Sequence, residues 1–203
     1  MNNCYQAYQA IIFDMDGTLV DSGQLHQHAW IDTLNKYAIP IEPALMRSLA
    51  GVPTKETIEI LVKHFNVELT ATSAEINDYK EQIVRQTMLD YVKPTQLAEL
   101  AIANKGKRPM AVGTGAYTEE AKMILQACGL FELIDFVVGA DQVANPKPAP
   151  DTFLHCAKLM AIAPQHCIVF EDAQTGMQAA RDAGMDVVDV LETFNIKNDY
   201  FLE

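Results

Sequence analysis

Cysteine is scarce in this sequence. Four occur among 203 residues, at Cys4, Cys128, Cys156 and Cys167, and no two stand in a CxxC spacing. That excludes a zinc ribbon and a disulfide-stapled scaffold, and the four read as reduced thiols. Basic residues are also few: 15 Lys and Arg against 27 Asp and Glu, a formal net charge of −12 at pH 7. A protein that grips a nucleic-acid backbone needs clustered Lys and Arg. None is present, so nucleic acid is excluded as the main partner. No apolar run approaches the roughly 20 residues that cross a bilayer. The start of the chain, MNNCYQAYQAIIFDMD, has no basic segment, and its apolar stretch soon meets Asp14, unlike a secretory signal. The expectation is a cytoplasmic protein with no membrane partner. Repeats and low-complexity tracts are absent too. With 49% hydrophobic and 21% charged residues, the chain can bury a core and is not disordered in bulk.

What is present is an alternation. Five short apolar runs occur at 8–14 (YQAIIFD), 109–113 (PMAVG), 133–139 (LIDFVVG), 167–171 (CIVFE) and 186–190 (DVVDV). Runs rich in Val, Ile and Phe suit buried parallel strands. Helical patterns separate the last four, at 117–128, 150–161 and 174–183. In the first of them Ala121, Ile124, Leu125 and Cys128 share one face. Strand and helix in alternation predict an α/β fold: a Rossmann-like three-layer α/β/α core around a parallel sheet. Residues 22–90 have a different texture. They carry no clear strand run, and segments 24–37, 53–65 and 73–90 have helical periodicity, punctuated by Pro40, Pro43 and Pro53. The predicted organisation is a core of residues 1–20 and 91–203 with a small helical-bundle cap, 21–90, inserted after the first strand.

Ligands of open α/β sheets bind at the carboxyl ends of the strands. Reactive side chains stand there. The first run ends in Asp14, with Asp16 two residues on, the second in Thr114 and the fourth in Glu171 and Asp172. Lys147 follows the third. Four carboxylates in one crevice repel unless a cation joins them. Lys147 supplies one positive charge, and an all-oxygen ligand set favours Mg²⁺ over zinc. The set fits phosphoryl transfer. One carboxylate can act as nucleophile and a second can protonate the departing alkoxide. A hydroxyl and backbone N–H groups can hold phosphoryl oxygens, while Lys and metal neutralise charge. Thr114 can also cap the following helix, a role compatible with binding phosphate there.

These residues stand in four ordered motifs. Asp14-Met15-Asp16-Gly17-Thr18-Leu19-Val20-Asp21 comes first and Ala111-Val112-Gly113-Thr114-Gly115 second. Pro146-Lys147-Pro148-Ala149-Pro150-Asp151 is third and Phe170-Glu171-Asp172-Ala173-Gln174-Thr175-Gly176 fourth. In all four the chain resembles the haloacid dehalogenase-like superfamily, in its β-phosphoglucomutase-like branch. It is most similar to small bacterial sugar phosphatases of the fructose-1-phosphatase type. The resemblance implies Asp14 as nucleophile and metal ligand and Asp16 as general acid/base with its backbone carbonyl on Mg²⁺. It implies Thr114, Gly115 and Lys147 around the phosphoryl group, and Asp172 on the metal with Glu171 in or beside its coordination shell. His26 matches a histidine that, in the branch's mutases, handles the sugar phosphate. Where those mutases carry a cap arginine this chain has Thr54, with Lys55 adjacent. Losing a bidentate Arg weakens the grip on a second phosphate, which favours hydrolysis.

The expected function is thus Mg²⁺-dependent hydrolysis of a small phosphorylated metabolite such as fructose 1-phosphate, by a chain favoured as a monomer. The alternative is a phosphosugar mutase of the same fold. A non-catalytic phosphometabolite-binding protein or a receiver domain is more remote, since receivers are shorter and lack both the helical insert and a DxD on the first strand. His26 is balanced between helix surface or hinge and substrate contact. Asp21 is left between a bond within the first turn and a cap on the first inserted helix. Trp30 reads as cap packing and Glu119–Glu120 as a solvated helix face. His28, His64, His155 and His166 receive no role. Residues 191–203 either pack on the core or fray.

Overall fold

The computed structural model describes residues 3–201, with only the backbone of Asn3 and Cys4. The Cys4 side chain therefore lies outside the described residues, whereas Cys128, Cys156 and Cys167 are free thiols. In chain order the elements are β1 (Ala10–Phe13), β2 (Val20–Asp21), α1 (Gly23–Lys36), α2 (Pro43–Ser48), α3 (Thr54–Phe65) and α4 (Ser73–Tyr91). Next come β3 (Lys93–Pro94), α5 (Leu97–Asn104), β4 (Met110–Gly113), α6 (Thr118–Ala127) and β5 (Phe136–Val138). The chain ends with α7 (Asp151–Met160), β6 (Cys167–Glu171), α8 (Gln174–Asp182), β7 (Asp186–Asp189) and α9 (Val190–Phe194). None of these helices is long and apolar enough to cross a membrane.

Five strands form a parallel sheet in the order β5-β4-β1-β6-β7. This is the expected three-layer α/β/α core. Successive side chains of a strand point to opposite faces, and β1 divides itself accordingly. Ile11 and Phe13 join a cluster with Ala121, Ile124 and Leu125 of α6 and Leu97 and Ala101 of α5. Ala10 and Ile12 join Phe153, Cys156 and Ala157 of α7 and Ala179 and Ala180 of α8 on the other face. Burial on both faces explains why the strands read as continuous apolar runs rather than alternating ones. The chain leaves β1 for β4 and β5 on one side and later returns to β6 and β7 on the other. Such a reversal of strand order opens a crevice at the carboxyl ends of the strands.

Helices α1–α4 follow β1 and carry their own cluster, including Trp30, Leu34, Met46, Ile58, Leu61 and Ile76. Helix α4 starts at a capping box: Thr72 Oγ1 accepts from the Glu75 amide at 3.2 Å, and the Thr72 amide donates to Glu75 Oε2 at 2.8 Å. Entry to and exit from this helical segment run side by side as the two-residue antiparallel ribbon β2–β3. Asp21 meets Lys93 Nζ there at 3.0 Å. It therefore does neither of the two things considered from sequence; it fastens the ribbon, weakly, as an exposed pair does.

Three helices have no counterpart in the sequence reading. Helix α2 is six residues long, too short for periodicity. In α5 (LAELAIAN) nearly every position is apolar, so no single face stands out. Helix α9 is set by Asp189, whose Oδ1 accepts from the Leu191 and Glu192 amides at 2.9 and 3.0 Å. As far as Phe201, the C-terminal segment packs rather than frays. Tyr200 and Phe201 lie in the cluster of the helical segment. The Phe201 amide donates to Gln27 Oε1 at 2.7 Å, and Arg47 donates to the Phe201 carbonyl.

Candidate active site

The strands that end at the crevice deliver their reactive side chains at the strand end or the residue after it: Asp14 follows β1, Thr114 follows β4, and Glu171 closes β6. The Asp14 amide still donates to Phe170 O at 2.9 Å, and the Thr114 amide to Val138 O at 3.0 Å. The side chains are aimed by sheet register rather than by flexible loops. Asp14 is 5% exposed. Its Oδ1 accepts from Lys147 Nζ at 2.6 Å, and the same ammonium donates to Glu171 Oε2 at 2.7 Å. Lys147 arrives from the loop after β5, beside a cis Lys147–Pro148 peptide. Glu171 Oε1 accepts from the Ala173 amide at 3.1 Å. Asp172 is fixed by Asn198 Nδ2 at 3.0 Å and faces Thr18 Oγ1 at 3.4 Å.

Carboxylate oxygens of Asp14, Glu171 and Asp172 lie within 4.8 Å of one another. One ammonium faces three carboxylates, so two negative charges are left over. Burial, then the charges of Glu171 and Asp172, hold the Asp14 carboxyl well above the ordinary range despite Lys147. Burial and Glu171 push Asp172 up to about 7. Burial alone would lower the Lys147 ammonium, but Asp14 and Glu171 outweigh it and raise it. Three oxygen donors, in a space where the protein leaves charge unmatched, fit a hard divalent cation.

Asp16 stands apart from this trio. Its Oδ1 accepts from Ser22 Oγ at 2.6 Å and lies 2.8 Å from His26 Nε2. Ser22 occupies the N-cap of α1 but makes no side-chain cap bond; its hydroxyl is turned to Asp16 instead. Burial acts to raise the Asp16 carboxyl. The charge and hydrogen bond of His26, the hydroxyl of Ser22 and the charge of Lys80 outweigh it and leave it below the ordinary value. Gly17 follows at φ +82°, and a Cβ there would collide with Asn198 and Asp172. Only glycine lets the turn after Asp16 pass so close to the acidic trio.

Thr114 Oγ1 accepts from the Ala116 amide at 3.1 Å, which leaves the hydroxyl hydrogen free to donate to a ligand. The N-cap of α6 is Tyr117, so Thr114 does not cap that helix. A Cβ on Gly115 would sit 2.9 Å from the Gly51 carbonyl. This is where the helical segment comes down on the core.

Between the two lies a cavity of ≈ 110 Å³. Asp14, Asp16, His26, Thr54, Thr114, Gly115, Lys147, Glu171 and Asp172 all line it. Lys55 does not: it is exposed, with Nζ 5.9 Å from the Tyr117 ring centroid. The wall also holds residues that sequence reasoning passed over, namely Ser22, Asn77, Lys80, Glu81, Glu120 and Asn198. Trp30 packs as expected but reaches the cavity too. Glu120 is not on a solvated face; it is 8% exposed. A signal for three of them existed. Asn77 and Lys80 share the buried stripe of α4 with Ile76, Val84 and Met88, and Glu120 that of α6 with Ala121 and Ile124. A polar residue on an apolar stripe needs a reason.

The family profile of haloacid dehalogenase-like hydrolases matches residues 11–190. A relative named fructose-1-phosphate phosphatase YqaB, from Escherichia coli (strain K12), is 42% identical over 186 residues, 92% of this chain and 98% of its own. A β-phosphoglucomutase of Bacillus subtilis (strain 168) is 27% identical over 90% of this chain and 83% of its own. The crystal structure of a β-phosphoglucomutase from Clostridium difficile superposes with a TM-score of 0.80 at 23% identity, covering 96% of this chain and 97% of that one, which is a likeness of fold. Motifs, sheet order and profile agree along nearly the whole length, and the chain belongs to the haloacid dehalogenase-like hydrolase family.

Proposed function

We propose that this hydrolase is a Mg²⁺-dependent phosphatase of a small phosphorylated sugar, with fructose 1-phosphate as the first candidate, working through an aspartyl-phosphate. The observation that carries the reading is the pairing of two unlike acids at one cavity: Asp14, held by Lys147 at 2.6 Å, and Asp16, held by His26 at 2.8 Å. Asp14 attacks phosphorus. The bond from phosphorus to the sugar oxygen breaks, and that oxygen takes a proton from Asp16, which shares it with His26. Water then attacks the aspartyl-phosphate, gives its proton to Asp16 and frees Asp14 and inorganic phosphate. The Thr114 hydroxyl, the Gly115 backbone and Lys147 hold the phosphoryl oxygens. Asp14, Asp172, the Asp16 backbone carbonyl and, in or beside the coordination shell, Glu171 would hold Mg²⁺. The metal supplies charge neutralisation on those oxygens.

Residues 1–20 and 91–203 act in this reading as the catalytic body, and residues 21–90 as a cap that excludes water and selects the leaving group. Hydrolysis rather than mutase action is supported by the cavity wall. No arginine lines it among the described residues, and Thr54 stands at the position expected of one. The name of the 42% relative supports the sugar. The experiment is product analysis with Mg²⁺, offering fructose 1-phosphate and β-glucose 1-phosphate in parallel. Free phosphate, fastest from fructose 1-phosphate, is expected. Glucose 6-phosphate accumulating without phosphate release would establish a mutase instead.

A further inference from the structure

One group in the cavity wall has no part in the chemistry above. Glu120 lies in the first turn of α6, the core helix on which α4 packs. Its side chain lines the cavity and is 8% exposed, and its Oε1 has no hydrogen-bond partner. A buried acceptor left without a partner is costly, and more so when charged. An acid in a first helical turn also complements the helix dipole. Exposed Glu119 already does that next door, paired to Lys122 at 2.7 Å. The dipole does not explain why the second acid is buried and faces the cavity.

The neighbouring wall shows what the carboxylate can meet. Asn77 Nδ2 gives one of its two hydrogens to Glu81 Oε1 at 2.8 Å, which leaves one N–H and the carbonyl oxygen for a ligand. Lys80, 4% exposed, lies over the Trp30 ring at 5.5 Å and offers N–H donors. The α4 and α6 wall therefore presents acceptors (Glu120, Asn77 Oδ1) together with donors (Lys80, Asn77 Nδ2). Hydroxyl groups, which both donate and accept, satisfy such a set. A second phosphate or a carboxylate only accepts; Lys80 can meet its charge, but the carboxylates of Glu120 and Glu81 in the same wall oppose it.

We infer that Glu120 is a specificity-determining residue, whose carboxylate accepts hydrogen bonds from an uncharged polyhydroxylated leaving group and rejects leaving groups that carry a second phosphate or a carboxylate. The inference rests on the phosphatase reading and narrows its substrate class. It also bears on the choice between water and a second sugar phosphate as phosphoryl acceptor. A carboxylate that repels an incoming phosphosugar leaves the aspartyl-phosphate to water.

The test compares kcat/KM for fructose 1-phosphate and fructose 1,6-bisphosphate in the wild type, Glu120→Gln and Glu120→Ala. Glutamine keeps shape and one acceptor while removing the charge. The wild type is expected to prefer the monophosphate by about tenfold or more, the scale of one close like charge. In Glu120→Gln the ratio should narrow by about tenfold, chiefly through a lower KM for the bisphosphate. A merely structural role would lower both substrates together and leave the ratio unchanged; a ratio within twofold of wild type overturns the inference. So does a wild type that takes the bisphosphate as readily, an outcome that needs no variant to fold. A wild type that releases phosphate from neither sugar overturns the fructose 1-phosphate reading on which the inference rests, and the inference with it.

Discussion

At the phosphate end of the crevice, charged groups find hydrogen-bond partners in the protein, even though one ammonium faces three carboxylates. Lys147 bridges Asp14 and Glu171, and Asn198 holds Asp172. At the leaving-group end they do not: Glu120 Oε1 has no partner, and Lys80 lies over an aromatic ring. The first end is built by the core from the ends of β1, β4 and β6 and the loop after β5. The second is built where α4 of the helical segment meets α6. Groups that satisfy each other can be placed by the fold alone. On the reading proposed above, the groups left unsatisfied at the second end meet the leaving group. The difference separates what every substrate needs from what one substrate needs.

The comparison breaks if changes at the two ends have the same signature. Asp14→Asn should remove turnover by at least about 10⁴-fold for every phosphate ester offered, because it removes the nucleophile. Phosphate-release assays on a folded variant, verified by circular dichroism, decide it. Appreciable turnover would rule out the covalent route. Lys147→Met leaves two buried carboxylates without their cation and should cost about 3–5 kcal/mol of stability in metal-free buffer, read from urea unfolding. A loss below about 1 kcal/mol would mean that the cluster relaxes into solvent.

Mg²⁺ should stabilise the folded chain by about 2.7 kcal/mol at a hundredfold excess over its Kd. The thermal midpoint should therefore climb with Mg²⁺ concentration, and Asp172→Asn should flatten the climb. An unmoved midpoint in the wild type contradicts metal binding at the acidic trio. Asn77→Ala should have the smallest effect. It is expected to change KM by a few-fold, a loss of about 1 kcal/mol, and to a different degree for two different sugar phosphates. A uniform fall in kcat would instead attach Asn77 to the phosphate end.

The two ends also differ in how far the sequence discloses them. Asp14 and Glu171 close, and Thr114 follows, apolar runs that suit buried parallel strands, and strand ends converge at the crevice wherever such a sheet forms. Their convergence follows from topology. Lys147 lies in a loop, yet its short tether to β5 and two flanking prolines leave it little choice. Asn77, Lys80 and Glu120 sit on the apolar stripes of α4 and α6, a signal that marks them as buried, but what they face there is decided by packing. The reading of Glu119–Glu120 as solvated shows the difficulty. Two adjacent acids look alike in sequence, and a helical step of about 100° puts one in water and the other in the cavity. Asn198 was beyond reach because no periodicity brings residues 198–201 back across the molecule.

Those last residues tie the core to the helical segment. Two passes of chain, β2 and β3, join the sheet to the helical segment, and the C-terminal segment is a third. It is anchored to Asp172 through Asn198 on one side and to Gln27 and Arg47 through Phe201 on the other. Gly23, just past the ribbon, has no room for a side chain because Asp199 and Tyr200 lie against it. A rotation that widens the crevice must either carry Tyr200 and Phe201 along, parting Asn198 from Asp172, or leave them behind, parting Phe201 from Gln27. Either path breaks hydrogen bonds worth about 1 kcal/mol each. Any opening of the crevice would thus be resisted by a segment that lies outside the proposed chemistry, and substitutions at its Phe201 end would change that resistance without touching the acidic trio.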